Sequence, residues 1–457
     1  MIKKGNQHGH CSSWHEIFKA YDIRGIYPSD LNEETAYRIG RAFVSFLNCK
    51  NVVVGRDMRN SSDALFKSLA RGITDQGADV IDIGLSSTPM FYYASGRLEA
   101  EGGIIITASH NPSQYNGFKL CRDGTVPVSG ATGLKDVKAL FMKCRFGNPE
   151  KRGSVIKNEE IKDEYVRHVR SFSKQHGNLK VVVDCANAMG VYEMRPLQGL
   201  ARIIPMFDKL DGSFPNHEAN PLKFETVRAL QNKVVEEKAD LGIAFDGDAD
   251  RVGFIDEKGC IVPMDLTGAL IAEEILKKEK GTILYDLRCS RAVKETIVAN
   301  GGTPIETRVG HTFIKQAMRE RNALFVGEFS GHYYFRDNYY TESSSLAAVY
   351  LLNIMVKYNK KISELIKPLR KYYQSGEVNS GVEDKEAVIK KLAEVYCDGG
   401  ISYLDGIKVV FGKWWFNVRP SNTEPLLRLN LEADTKALME EKRDEVLGII
   451  RGTRSEP

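Results

Sequence analysis

The sequence predicts three related α/β domains with mixed, mostly parallel sheets, followed by a smaller C-terminal α+β domain. Three observations lead there. An apolar, β-branched run that breaks into a polar or glycine-bearing loop and then a helix-like pattern occurs three times. The copies are "NVVVGRDMRNSS" (51–62), "LKVVVDCANAMG" (179–190) and "GTILYDLRCSRA" (281–292). After the first and third copies a second strand arrives behind a glycine, in "QGADVIDIG" (76–84) and "NGGTPIETRVG" (300–310). Continuous apolar strands alternating with amphipathic helices are the pattern of parallel units covered on both faces. From Ser375 the pattern changes to helix, several closely spaced strands and a last helix, for which short connections favour antiparallel pairing.

A chain of 457 residues is too long for one core. The boundaries expected are 1–154, 155–256, 257–367 and 368–457. Hydrophobic content of 42% and charged content of 27% place it among ordinary soluble globular proteins. A net charge of +4 from 64 basic and 60 acidic residues is too balanced for general nucleic-acid binding. No apolar run is long enough to cross a membrane, and no apolar stretch follows Lys3 and Lys4, so cytoplasm is the expectation. The eight cysteines are irregularly spaced without a Cys-x-x-Cys pair, and are expected to be buried or half-buried thiols. "HGHC" (8–11) reads as a floppy tail rather than a metal site.

In open α/β sheets ligands bind beyond the carboxyl ends of the strands, so chemistry is expected at four strand ends, one per domain. In "IIITASHNPSQYNGFKL" (104–120) an apolar strand runs into a loop carrying Ser109, with Gly117 allowing a close approach. No Gly-x-Ser-x-Gly elbow is present, and a polar turn or a mount for a nucleophile both fit this stretch. In "LGIAFDGDADRVGFID" (241–256), Asp246, Asp248 and Asp250 alternate directly after an apolar run. Like charges this close are unfavourable unless a cation neutralises them, and oxygen-only ligands favour Mg²⁺ or Ca²⁺; a solvated acidic turn is the other reading. A strand pattern follows, which separates this loop from a calcium-binding EF-hand, and Arg251 could hold an anion beside the metal. In "FVGEFSGHYYFRD" (325–337), Glu328, Ser330 and His332 could take sugar hydroxyls or move a proton; an edge strand with polar residues facing water is the plainer reading. In "NVRPSNTEPLLRL" (417–429), Arg419 could fork onto a phosphate, with Ser421, Asn422 and Thr423 donating from a compact turn, although a proline turn between strands would look the same. Tyr21 and Arg24 in "AYDIRGIY", and His311 and Lys315 in "RVGHTFIKQAM", are supporting candidates.

"TASHNP", "DGDADR", "GEFSGH" and "RPSNTEP" occur in this order with family-like separations, and the chain resembles the α-D-phosphohexomutases over nearly its whole length. "AYDIRG" and "GEFSGH" look most like the phosphomannomutase/phosphoglucomutase branch. The resemblance implies domains arranged around a central cleft and a hexose 1-phosphate/6-phosphate mutase that carries phosphate on Ser109. It implies Mg²⁺ held by the Ser109 phosphoryl oxygen with Asp246, Asp248 and Asp250, and hexose 1,6-bisphosphate as intermediate and activator. Lys119 and His332 are then candidates for proton transfer, with Arg24 and His311 as weaker ones, while Mg²⁺, Arg251 and Lys119 would stabilise charge on the moving group. Glu328 and Ser330 would hold O3 and O4 of the sugar. Arg419, Ser421, Asn422 and Thr423, helped by Tyr21 and Arg288, would bind the phosphate that is not transferring. Small-molecule hexose phosphates are the expected partners, and a monomer the expected state.

An amino-sugar mutase (phosphoglucosamine or phosphoacetylglucosamine) is the alternative within the class; outside it stand a non-catalytic sugar-phosphate binder and a metal-dependent phosphatase or transferase in which Ser109 is incidental. Where relatives often carry Asp-Asp-Gly, this chain has "TESSSLAA" (341–348), whose serines are expected to cap the next helix.

Overall fold

The structure is a computed structural model that describes residues 13–147, 149–174, 177–421 and 426–452. "HGHC", Asn422 and Thr423 lie outside the described residues. Two compact units are present: Met1–Val262 with Ser330–Ser363, and Pro263–Phe329 with Glu364–Pro457.

The first unit holds two mixed sheets. One runs β1-β5-β4-β2-β3-β7, from strands β1 (Ile23–Ile26), β2 (Asn51–Arg56), β3 (Asp79–Leu85), β4 (Gly102–Ile106), β5 (Tyr115–Arg122) and β7 (Val155–Lys157), with β6 (Val126–Pro127) on β5. The other runs β12-β11-β10-β8-β9, from β8 (Lys180–Asp184), β9 (Arg202–Met206), β10 (Leu241–Phe245), β11 (Val252–Asp256) and β12 (Ile261–Val262). Within each sheet the repeated phrases form the parallel strands, β2 beside β3 and β4, and β8 beside β9 and β10. The hairpins β4–β5 and β10–β11 are antiparallel, and they carry the serine and aspartate loops.

Period-2 alternation explains how β5 serves both core and loop. Phe118 and Leu120 enter a core with Ile104, Ile106, Val52, Val54 and the helix Glu33–Leu47, whereas Lys119 points to the other face. Burial of each isoleucine of β4 contributes roughly 1.5–3 kcal/mol, which anchors the base of the serine loop. Gly117 does permit a close approach, but the neighbour is strand β1: a Cβ there would lie 2.3 Å from the Ile23 carbonyl oxygen.

In the second unit β13 (Thr282–Asp286) lies between β14 (Thr303–Thr307) and β15 (Phe325–Gly327), all parallel. The chain re-enters the first unit with the hairpin of β16 (Tyr333–Phe335) and β17 (Thr341–Glu342). Ser343 then caps the helix Ser344–Tyr358 by accepting from the Leu346 N–H, as "TESSSLAA" suggested. Ser344 and Ser345 meet the wholly buried Glu193 carboxylate, which also accepts from Ser87 and from the Tyr165 hydroxyl at 2.8 Å.

The C-terminal sheet of the second unit is antiparallel throughout, in the order β18-β22-β21-β20-β19, with β18 (Tyr373–Gly381), β19 (Gly400–Ser402), β20 (Ile407–Val410), β21 (Trp414–Pro420) and β22 (Leu426–Ala433). Helices Lys385–Val395 and Lys436–Arg451 cover it, with Leu392, Phe416, Leu429 and Val446 in the core. The sequence pattern expects a helix first in this region, yet β18 precedes it. "YQSGEVNSG" has almost no apolar residues to mark a strand, and its pairing comes from β22. Among the described residues the cysteines are free, and Cys144, Cys260 and Cys397 are exposed rather than buried, because they fall in connections outside the cores. Among the described residues no helix is long and apolar enough to cross a membrane.

Candidate active site

Ser109 stands three residues beyond β4, buried, with a left-handed backbone at φ 52°. That conformation costs a non-glycine residue roughly 1–2 kcal/mol and points to a site where surrounding structure imposes it. Its N–H donates to Thr107 Oγ1 at 3.0 Å. Its hydroxyl lies 3.1 Å from His110 Nδ1 and 3.2 Å from Asp246 Oδ2. Gly247 makes the meeting of the two loops possible, since a Cβ there would sit 2.2 Å from the Ser109 carbonyl oxygen.

Asp246, Asp248 and Asp250 are all buried, and one oxygen from each lies within 4.8 Å of the others. Lys119, opposite Ile105 on β5, donates from Nζ to Asp248 Oδ2 and Asp250 Oδ2, both at 2.6 Å. Thr88 adds a 2.6 Å hydrogen bond to Asp248 Oδ2. Arg251 donates its N–H to Asp246 Oδ1 at 3.2 Å and keeps its guanidinium 3.7 Å from Oδ2. His332 Nε2 lies 3.3 Å from Asp250 Oδ1, while its Nδ1 is 3.0 Å from the Ser330 hydroxyl. Arg24 pairs with Asp22 and reaches Asn111 of the serine loop.

The electrostatics favour a cation. Burial first, then Asp250 and Asp248, push Asp246 well above the usual carboxylate range. Burial would raise Asp250 too, but Lys119 and His332 pull it well below. Burial alone would lower Lys119, yet Asp248 and Asp250 outweigh it and hold the ammonium charged. Asp248 Oδ1 is buried without a hydrogen-bond partner, an unfilled lone pair in a cluster of hard oxygen donors. These residues fit a Mg²⁺-type ion. Arg251, then burial, hold His110 well below its ordinary value, so its imidazole is neutral beside Ser109.

A second cluster lies in the other unit. Arg288, just past β13, forks onto Asp286 through Nε and Nη2, each at 2.9 Å. Its Nη1 is 3.6 Å from Glu377 Oε2. Arg419 at the end of β21 donates to the same Glu377 oxygen at 2.8 Å, and Arg428 of β22 to the other at 3.0 Å. Arg428 also reaches the Ser421 hydroxyl at 3.3 Å, and Lys385 the Ser421 carbonyl at 3.3 Å. Burial, then Arg288, lowers Arg419. Glu328 follows β15 and is buried, while His311 opens the helix after β14; Arg288, Glu328 and His311 thus sit at the carboxyl ends of one parallel sheet. Lys315 is fully buried within that helix. Tyr21 is half-buried just before β1. Glu328 and the Ser330–His332 pair, adjacent in sequence, fall in different compact units.

Residues 15–148, 163–259, 263–373 and 377–449 match, in turn, alpha/beta/alpha domains I, II and III and the C-terminal domain of phosphoglucomutase/phosphomannomutase. The chain belongs to the phosphoglucomutase/phosphomannomutase family. A phosphomannomutase of Methanocaldococcus jannaschii is 40% identical over 444 residues, spanning 95% of this chain and 97% of its own. One from Escherichia coli K12 is 38% identical over 445 residues, 94% of this chain and 97% of its own. The crystal structure of a phosphoglucomutase/phosphomannomutase family protein from Burkholderia thailandensis has a TM-score of 0.88 at 31% identity, covering 96% of this chain and 98% of that one.

Several residues of these clusters were given no role from the sequence, among them His110, Arg59, Glu377 and Arg428. His110 stands inside "TASHNP", and its place beside the serine was the available signal. Glu377 and Arg428 lie on strands whose pairing alone brings them together. Arg59, in "GRDMRNSS", reaches the serine loop from another strand end.

Proposed function

We propose that the chain interconverts hexose 1-phosphate and 6-phosphate, of mannose or glucose, through a phosphorylated Ser109. The mutase class comes with the family; the intermediates and residue roles are the proposal. In the forward step the bond from phosphorus to Ser109 Oγ breaks and one to the free O6 or O1 hydroxyl of the sugar forms. The hydroxyl proton passes to a neighbouring base, giving hexose 1,6-bisphosphate, which also serves as activator. In the return step the bond from the other phosphorus to its sugar oxygen breaks and one to Ser109 Oγ forms, the base gives its proton back to that sugar oxygen, and the isomeric monophosphate leaves.

Asp246, Asp248 and Asp250, with a phosphoryl oxygen on Ser109, would hold Mg²⁺. The ion would supply charge neutralisation for a loose phosphoryl-transfer transition state. Lys119 and Arg251 add positive charge to the same group. Because two carboxylates hold the Lys119 proton, His332 is the better placed of the two to accept one from the sugar, with Ser330 fixing its ring. Arg24 steadies Asn111, and His311 is a further proton-transfer candidate. Glu328 and Ser330 take sugar hydroxyls. Arg288, Arg419 and Ser421, with Asn422, Thr423 and Tyr21, hold the phosphate that is not reacting. The chain acts as a monomer, in the cytoplasm, on small-molecule substrates.

The observation that carries this reading is the buried Ser109 hydroxyl 3.2 Å from Asp246, within a three-carboxylate cluster bridged by Lys119. Phosphopeptide mapping of the purified protein should find phosphate on Ser109, and Ser109→Ala should lower mutase turnover by about 10⁴-fold or more. Full activity with unphosphorylated Ser109 would overturn the mechanism. Comparison of mannose 1-phosphate, glucose 1-phosphate and glucosamine 1-phosphate as substrates tests the sugar assignment, which a preference for the amino sugar would defeat.

A further inference from the structure

We propose that Arg59 is a positioning residue for phosphoryl transfer at Ser109, gripping the serine loop from behind so that the hydroxyl faces Asp246. The inference rests on the phosphoserine reading above. Arg59 follows β2 in the first unit, fifty residues before Ser109, and its side chain is wholly buried. One terminal nitrogen, Nη2, donates to the carbonyl oxygens of Ser109 at 2.9 Å and Asn111 at 2.6 Å. The other, Nη1, donates to those of Pro112 at 2.8 Å and Tyr115 at 2.9 Å. Nε donates to Asp57 Oδ2 at 3.2 Å, and the Arg59 N–H to Asp57 Oδ1 at 3.0 Å. Phe214 covers the guanidinium face, its ring centroid 5.1 Å away.

A guanidinium has five N–H donors in a fixed planar fork, and each of these five has an acceptor. No donor is left for a substrate, so the group acts through the loop. Among the described residues Asp57 is the carboxylate paired with this buried cation, and loop carbonyls supply the other contacts. Four carbonyls turned toward a single point set the path of residues 109–115, and the left-handed Ser109 lies on that path with its carbonyl trapped between Arg59 and Gly247. A lysine, with three donors on one nitrogen, cannot span the four carbonyls.

Arg59→Lys in the full chain tests this. Ser109 phosphorylation by glucose 1,6-bisphosphate in a single turnover would be followed by intact mass, alongside kcat, KM and the thermal midpoint. The expected result is a phosphorylation rate and kcat about 10- to 100-fold lower, with KM within about threefold of wild type. In Arg59→Ala, added guanidinium ion should restore part of kcat where ammonium does not. An unchanged kcat in Arg59→Lys, or a rise in KM with kcat intact, would overturn the proposal. Should Arg59→Lys not fold, Asp57→Asn keeps the fork and loosens its anchor; a smaller loss confined to kcat is expected, and an unchanged kcat counts against the idea. Wild-type protein that never acquires phosphate on Ser109 would instead defeat the phosphoserine reading itself.

Discussion

In the first compact unit three carboxylates, Asp246, Asp248 and Asp250, face two fixed cations, Lys119 and Arg251. In the second, three guanidinium groups, Arg288, Arg419 and Arg428, face two carboxylates, Asp286 and Glu377. Among the direct ion pairs just named, carboxylates outnumber cations in the first cluster and cations outnumber carboxylates in the second. A folded chain tolerates such an excess where a ligand completes it. The first cluster is therefore suited to a cation and the second to an anion. Lys119 and Glu377 have parallel parts in this contrast, each an internal counter-ion that keeps its cluster together.

The strongest way to break the comparison is to remove the internal cation. Lys119→Met leaves three buried carboxylates short of their best partner and should cost about 3–5 kcal/mol of stability in metal-free protein. Mg²⁺ should restore most of it; urea unfolding with and without Mg²⁺ is the measurement, and an equal loss in both would remove the case for a cation site. Asp248→Asn should weaken Mg²⁺ binding in calorimetry and lower turnover about 100- to 1,000-fold. In the anion cluster, Arg419→Ala should raise KM for hexose phosphate about tenfold, more than it lowers kcat, since it removes one charge-assisted contact. A kcat-only effect there would place Arg419 in the chemistry rather than in the grip.

Glu377 sharpens the comparison with the smallest effect. Burial alone would raise its pKa, but Arg419, Arg288 and Arg428 outweigh burial and hold it below the usual carboxylate value. A carboxylate with a depressed folded-state pKa contributes stability above its unfolded value, about 4.3, and loses it as pH falls through the folded value. Glu377→Gln should flatten that acid limb in unfolding measurements between about pH 3 and 6, and in neutral solution it should tighten phosphate binding by freeing Arg419 and Arg428.

Much of the candidate site was legible because it is local. Three aspartates at alternate positions after an apolar run state their own charge problem. Lys119 follows Ser109 by ten residues because β4 and β5 form one hairpin. Ser343 caps its helix through contacts within a single turn. The rest was not legible because it depends on distant partners. Arg59 looks like any loop arginine until four carbonyls some fifty residues away surround it. Glu377 sits in a polar strand with no alternation, visible only once β22 pairs with it. Glu193 stands in the short helix Gly190–Met194, and hydroxyls from three other parts of the chain enclose it.

By itself the sequence determined which strand ends carry chemistry, since hydrophobic periodicity and local charge spacing are properties of neighbouring residues. It also determined the family, through four short phrases in order. Only the tertiary structure decided which buried charges meet, because that depends on sheet order and register, which bring together residues far apart in the chain. Ser109 shows the division: its loop was visible as letters, but its left-handed backbone, its distance to Asp246 and the arginine behind it are set by packing.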